Sequence, residues 1–178
     1  YINNKFIHRM ILHYLKKKEN KEQIIAIKQY KEVISESNKF LNDNDFFITK
    51  DYRTSFEIVS IFLIMIIRIN LLQDNRKRYL KVNEELVSLF ISDLDESLRE
   101  KGIGDMSIGK YVKSYVKKFY FRIRKFPGDN NLFNNEAFIE YLKITNLIKN
   151  DDYINVSRKF NDKFVDFINS TNQQFKYY

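Results

Sequence analysis

The sequence predicts an all-α fold: a single compact domain over residues 1–178, with about six or seven helices around a buried apolar helix at about 55–72. Three observations carry this. Four glycines and one proline in 178 residues are too few to punctuate strands, whose turns favour those residues. Apolar side chains recur at helical spacing in one segment after another. A composition of 44% apolar and 30% charged residues can fill a core and is not that of a disordered chain.

The elements follow in order. Phe6, Ile7, Met10, Ile11, Tyr14 and Leu15 form a helical stripe, ended by the solvated run Lys16, Lys17 and Lys18. A second helix is expected over 21–41, with Ile24, Ile27, Ile34 and Leu41 apolar, and then a polar loop from Asn42 to Asp45. Thr54, Ser55, Phe56 and Glu57 read as a capping box at the start of the apolar helix. That run, Ile58 to Ile67, meets Arg68 and Asn70 before the roughly 20 residues a membrane span needs. A buried central helix is therefore expected. A charged link from Gln73 to Lys81 should lead to a helix over 83–101, where Leu86, Val87, Phe90, Leu94 and Leu98 share a face. Gly102 is its expected left-handed stop, and Ser107 the N-cap of the next helix, 108–126. After Pro127 and Gly128, helices are expected at about 136–149 and 152–169, with a frayed tail from Ser170.

Catalytic signals are absent from the pattern. His8 and His13 lie five apart and diverge by about 140 degrees on a helix, so they cannot chelate one metal together. Asp93, Asp95 and Glu96 spread around their helix and read as a solvated acidic face or a partner surface. Gly102, Gly104 and Gly109 miss the dinucleotide spacing, because Ser107 stands where the third glycine belongs and no strand precedes them. The sequons at Asn155 and Asn169 are expected by chance in an Asn-rich chain. No cysteine is present, which excludes disulfides and thiolate chemistry, fits a reducing compartment and points away from secretion. We expect no enzyme, no cofactor and no metal.

Charge supplies the positive signal. The chain carries a net +8, and seven Lys or Arg fall between residues 106 and 128 with no acid among them. Codon bias toward Asn, Lys, Ile, Tyr and Phe, about half of the chain, would have scattered that excess. On the helical wheel Ile108, Val112, Tyr115, Phe119 and Ile123 face one way, and Lys110, Lys113, Lys117 and Arg124 face the other. With Lys118 and with Phe121 on the basic side, these residues are the expected surface for an anionic partner: RNA or an anionic membrane surface, and not DNA.

The stretch Asp93 to Ile108 also resembles the signature of the ubiquinol-cytochrome c chaperone family. It has an aspartate pair (Asp93, Asp95), the tetrad Ser97-Leu98-Arg99-Glu100 and the link Gly102-Ile103-Gly104-Asp105-Met106-Ser107. A lysine-rich helix with Lys113, Lys117, Phe119 and Tyr120 follows, and Phe56 to Arg68 resembles the family's preceding helix. The family typically has a histidine where this chain has Ile61 or Phe62. The resemblance covers residues 50–126, with 1–49 and 130–178 as divergent helical flanks.

The resemblance implies a non-catalytic assembly factor for respiratory complex III. Its client would be newly made cytochrome b or another membrane protein, with a small partner subunit and the ribosome nearby. The implied location is the matrix side of the mitochondrial inner membrane, or the cytoplasmic face of the inner membrane in an alphaproteobacterium. A second reading is a structural subunit of a mitoribosome or respiratory assembly that kept the fold. The chain opens on Tyr1, so we expect residues upstream of it, removed with a targeting segment or by trimming.

Overall fold

The structure, a computed structural model, describes residues 20–127, 135–149 and 152–175. Among them six helices follow in order: α1 Lys21–Asn42, α2 Tyr52–Leu71, α3 Arg76–Glu100, α4 Asp105–Lys125, α5 Asn135–Thr145 and α6 Tyr153–Phe175. The described residues contain no strand beyond a single antiparallel bridge, Phe47 with Ile148. The all-α prediction holds. The expected first helix, with His8 and His13, lies outside the described residues.

α2 is the buried apolar helix at the centre. It touches α1, α3, α4 and α6, and every residue from Thr54 to Ile66 is buried. Burying one large aliphatic or aromatic side chain contributes roughly 1.5–3 kcal/mol, so this helix is the main store of stability. Phe62 sits edge-on to Phe40, Phe160 and Phe167, with ring centroids 5.5–5.9 Å apart. Ile61 and Phe62, where the resembling family typically has a histidine, are both fully buried among apolar neighbours. A histidine here would need a hydrogen-bond partner that this aromatic cluster does not supply.

The buried polar side chains of α2 are satisfied inside the protein, as buried polar groups must be. Ser60 donates to the Phe56 carbonyl at 2.7 Å. Asn70 exchanges hydrogen bonds with Gln29 of α1 at 2.8 and 2.9 Å and donates to Asn83 of α3 at 2.8 Å. This amide network fixes the register of three helices at one end of the bundle. α2 is long and apolar enough to cross a membrane, but most of it is enclosed by protein.

Several boundaries differ from those expected, each for a local reason. α2 begins at Tyr52, and Asp51 is its N-cap, accepting from the Thr54 amide at 2.9 Å. Thr54 therefore lies in the first turn and Glu57 turns inward, so the capping box does not form. α3 begins at Arg76 with Asn75 as its cap, which leaves Gln73–Asn75 as the whole link instead of Gln73–Lys81. Charged residues at 76–81 are good helix formers and here make the exposed first turns. α5 stops at Thr145 because Asn146 takes a left-handed φ of 50°. The chain then pairs with the segment before α2, Ile48 N to Leu147 O at 2.8 Å and Lys149 N to Phe46 O at 2.9 Å. α6 continues through the expected frayed tail to Phe175.

Candidate functional site

The connection between α3 and α4 carries the residues of the expected signature. α3 ends in a Schellman motif: Ile103 N donates to Leu98 O at 3.2 Å and Gly102 N to Arg99 O at 2.8 Å. Gly102 occupies the left-handed position at φ +84°, which only glycine takes without strain. Gly104, extended at φ −70° and ψ 158°, is the N-cap of α4. Ser107 is thus not the cap, because α4 starts two residues before it; it is an exposed residue of the first turn.

Arg99 ties the two helices together. Its Nε donates to Asp95 Oδ2 at 2.6 Å, one turn back on α3, and its other end pairs with Asp105 in the first turn of α4. Asp105 also stands at the positive end of the α4 dipole. The aspartate pair of the sequence divides its work. Asp95 faces solvent and holds Arg99, whereas Asp93 is 5% exposed and its Oδ2 accepts from the Tyr30 hydroxyl of α1 at 2.7 Å. Burial pushes the Asp93 carboxyl up to about 6; the Tyr30 hydrogen bond opposes this, and Glu96 and Glu100 reinforce it.

The orientation of α4 is set by a group the sequence reading missed. Arg122 reaches inward to Glu57 of α2 with two hydrogen bonds, Nε to Oε2 at 2.8 Å and Nη2 to Oε1 at 2.7 Å. Lys118 joins them, its Nζ 2.7 Å from Glu57 Oε1 and 5.1 Å from the Phe56 ring centroid. Glu57 is fully buried, so this carboxylate holds two cations of α4 against the core. Beside it the buried Tyr141 hydroxyl is pushed far above its ordinary range, by burial first and then by Glu57. Part of the signal was present in the sequence: Arg122 lies about 20 degrees from Tyr115 at the edge of the core side of the wheel, and Glu57 is the one acid in the apolar helix.

Two of the seven cations therefore turn to Glu57, and one of them, Lys118, belonged to the expected surface. Lys118, placed there from the sequence, is half-buried on the flank of α4 and committed to Glu57. Lys110, Lys113, Lys117 and Arg124 are exposed and share the outward side, with no carboxylate partner among the described residues. Phe121 is 37% exposed at one edge of this stripe, with the Lys125 ammonium 5.9 Å from its ring centroid. Tyr120 is exposed at the other edge. Met106 was missed. It lies about five full turns before Arg124, points the same way, and is fully exposed.

The model of the ubiquinol-cytochrome C chaperone family matches residues 44–128. The match spans a little under half of the chain and takes in α2, α3, the link and α4. Comparison with curated proteins and with solved structures finds no match. The ubiquinol-cytochrome C chaperone match supports a general role in complex III assembly, with a client protein. It suggests a non-enzymatic role and an association with a mitochondrial or bacterial inner membrane. Within the matched segment, Gly102, Gly104, Asp105, Arg99 and Asp95 form the joint, Asp93 anchors it to α1, and α4 carries the charge.

Proposed function

We propose that the protein, one domain over residues 1–178, is a non-catalytic assembly factor for complex III. It holds newly made cytochrome b, works with a small partner subunit, and acts on the matrix side of the inner membrane close to the ribosome. The observation that carries this reading is the joint between α3 and α4. Arg99 and the Glu57 group fix α4 from both ends, and five cations, Lys110, Lys113, Lys117, Arg124 and Lys125, are left exposed without carboxylate partners among the described residues. A rigid basic stripe edged by Phe121 and Tyr120 is built for an anionic surface, either rRNA or lipid headgroups. The family match supplies the complex III context. A photo-crosslinking residue at position 117 tests the reading: adducts with the ribosome or with lipid during cytochrome b synthesis support it. Absence of adducts while complex III assembles normally would count against it.

A further inference from the structure

A second site lies between the start of α2 and the end of α3, against the inner side of α4 and not on its outward basic stripe. A cavity of about 10 Å³ opens there, lined by Tyr52, Phe56, Val59, Phe90, Asp93 and Ser97, among others. Asp93 is 5% exposed. Its Oδ2 is taken by Tyr30, which is not part of the lining, and its buried Oδ1 has no hydrogen-bond partner. A buried carboxylate oxygen without a partner is costly to keep, and its cost is removed by a cation that reaches it.

The walls suit a cation as well. Tyr52, Phe56 and Phe90 present aromatic surface, and the Tyr52 hydroxyl lies 3.0 Å from Ser97 Oγ. Tyr52 and Ser97 are half-buried and form the edge toward solvent. Asp93, Ser97 and Lys101 succeed one another at intervals of four on α3 and its cap, so they rise along one face from the buried carboxylate to the surface. At the top of that column the Lys101 ammonium sits 4.7 Å from the Tyr52 ring centroid. An ammonium is thus already attracted to the rim.

We infer that this cavity is a seat for the ammonium of a lysine side chain presented by a partner protein. The volume is that of one water-sized group, which an ammonium matches and a planar guanidinium exceeds. Its three donors meet Asp93 Oδ1 and the hydroxyl oxygens of Ser97 and Tyr52. No group of three or more His, Cys, Asp or Glu side chains able to hold a metal ion occurs among the described residues. The surface is separate from the basic stripe of α4, so the inference stands apart from the proposed function.

The test uses the full chain and Nα-acetyl-lysine methylamide, with its Nε-acetylated form and the arginine analogue as controls. Titration followed by NMR should give saturable amide shifts at Tyr52, Asp93 and Ser97 with the lysine probe. The acetylated control should give none, and the arginine analogue should bind at least tenfold more weakly. Asp93→Asn should weaken the lysine probe at least tenfold. Ser97→Met, which leaves Asp93 in place and fills the mouth, should do the same and covers the case in which the first variant misfolds. Equal shifts with all three probes, or none with any, would show that the cavity holds only water and overturn the inference.

Discussion

Arg122 on α4 grips Glu57 on α2 through two hydrogen bonds of 2.7 and 2.8 Å, across 65 residues of sequence. Glu57 is fully buried and Arg122 almost so. Such a pair is well ordered but adds little net stability over an apolar replacement, whereas losing one partner strands a buried charge. Glu57→Gln should therefore destabilise the fold by about 3–5 kcal/mol, read by urea unfolding. Glu57→Gln with Arg122→Met should recover a large part of that loss. A double variant as unstable as the single one would mean that the pair's own attraction, and not the stranded charge, dominates.

Asp93 makes stability depend on pH in an unusual direction. Its carboxyl is raised from the ordinary 3.8 to about 6, so between those values the folded protein binds more protons than the unfolded one. The stabilising effect is complete below pH ~4 and is lost as pH rises through ~6, with a size on the order of 2–3 kcal/mol. Asn at this position still accepts from Tyr30 and carries no charge. Asp93→Asn should thus be more stable than the parent at pH 7.5 and match it near pH 4. A difference between the two proteins that does not vary over that range would show that Asp93 titrates like an exposed carboxylate.

The two link glycines should respond in opposite ways. Gly102 has open space around its Cα, so Ala would meet no clash and the cost is that of a positive φ alone, about 1 kcal/mol. Gly104→Ser gives α4 the side-chain cap it lacks and should gain a few tenths of a kcal/mol. Thermal unfolding of both variants checks the pair. A neutral Gly102→Ala would mean that the joint relaxes out of the Schellman geometry.

The basic residues of α4 should separate into two classes. Lys113→Glu with Lys117→Glu should lower co-sedimentation with ribosomes or anionic liposomes by roughly tenfold or more, since each charge near such a surface contributes about 1 kcal/mol. The effect should shrink as salt rises, and the unfolding temperature should stay unchanged. Lys118→Ala should do the reverse, lowering the unfolding temperature and leaving sedimentation nearly intact, because its ammonium serves Glu57. Equal loss of binding in both variants would mean that the outward stripe has no special role.

Much of this was legible in the sequence, and the omissions share one cause. Periodicity located α2, α3 and α4, and the wheel of α4 separated Ile108 and Phe119 from Lys110 and Lys117 as the structure does. Gly102 was readable as a left-handed stop because few residues but glycine fit there. The wheel put Arg122 toward the core and Glu57 in the apolar helix, but the pairings of Glu57, Arg122, Lys118 and Asp93 were not readable, since each depends on a partner on another helix. Glu57 fits a capping box by local spacing, yet tertiary pairing with Arg122 drew it into the core. Asp93 stands at the rim of an apolar face by spacing, and Tyr30, 63 positions away, decides that it goes inside. Local chemistry names the elements, while the burial of charge is settled between them.

The most direct measurement is purification of the tagged protein from native membranes, with quantification of what accompanies it. A complex III assembly chaperone should bring down unassembled cytochrome b at less than one copy per chain, and it should be absent from the mature complex. A fixed one-to-one copy in mature complex III or in a mitoribosome, without free cytochrome b, would contradict the account and make the protein a structural subunit.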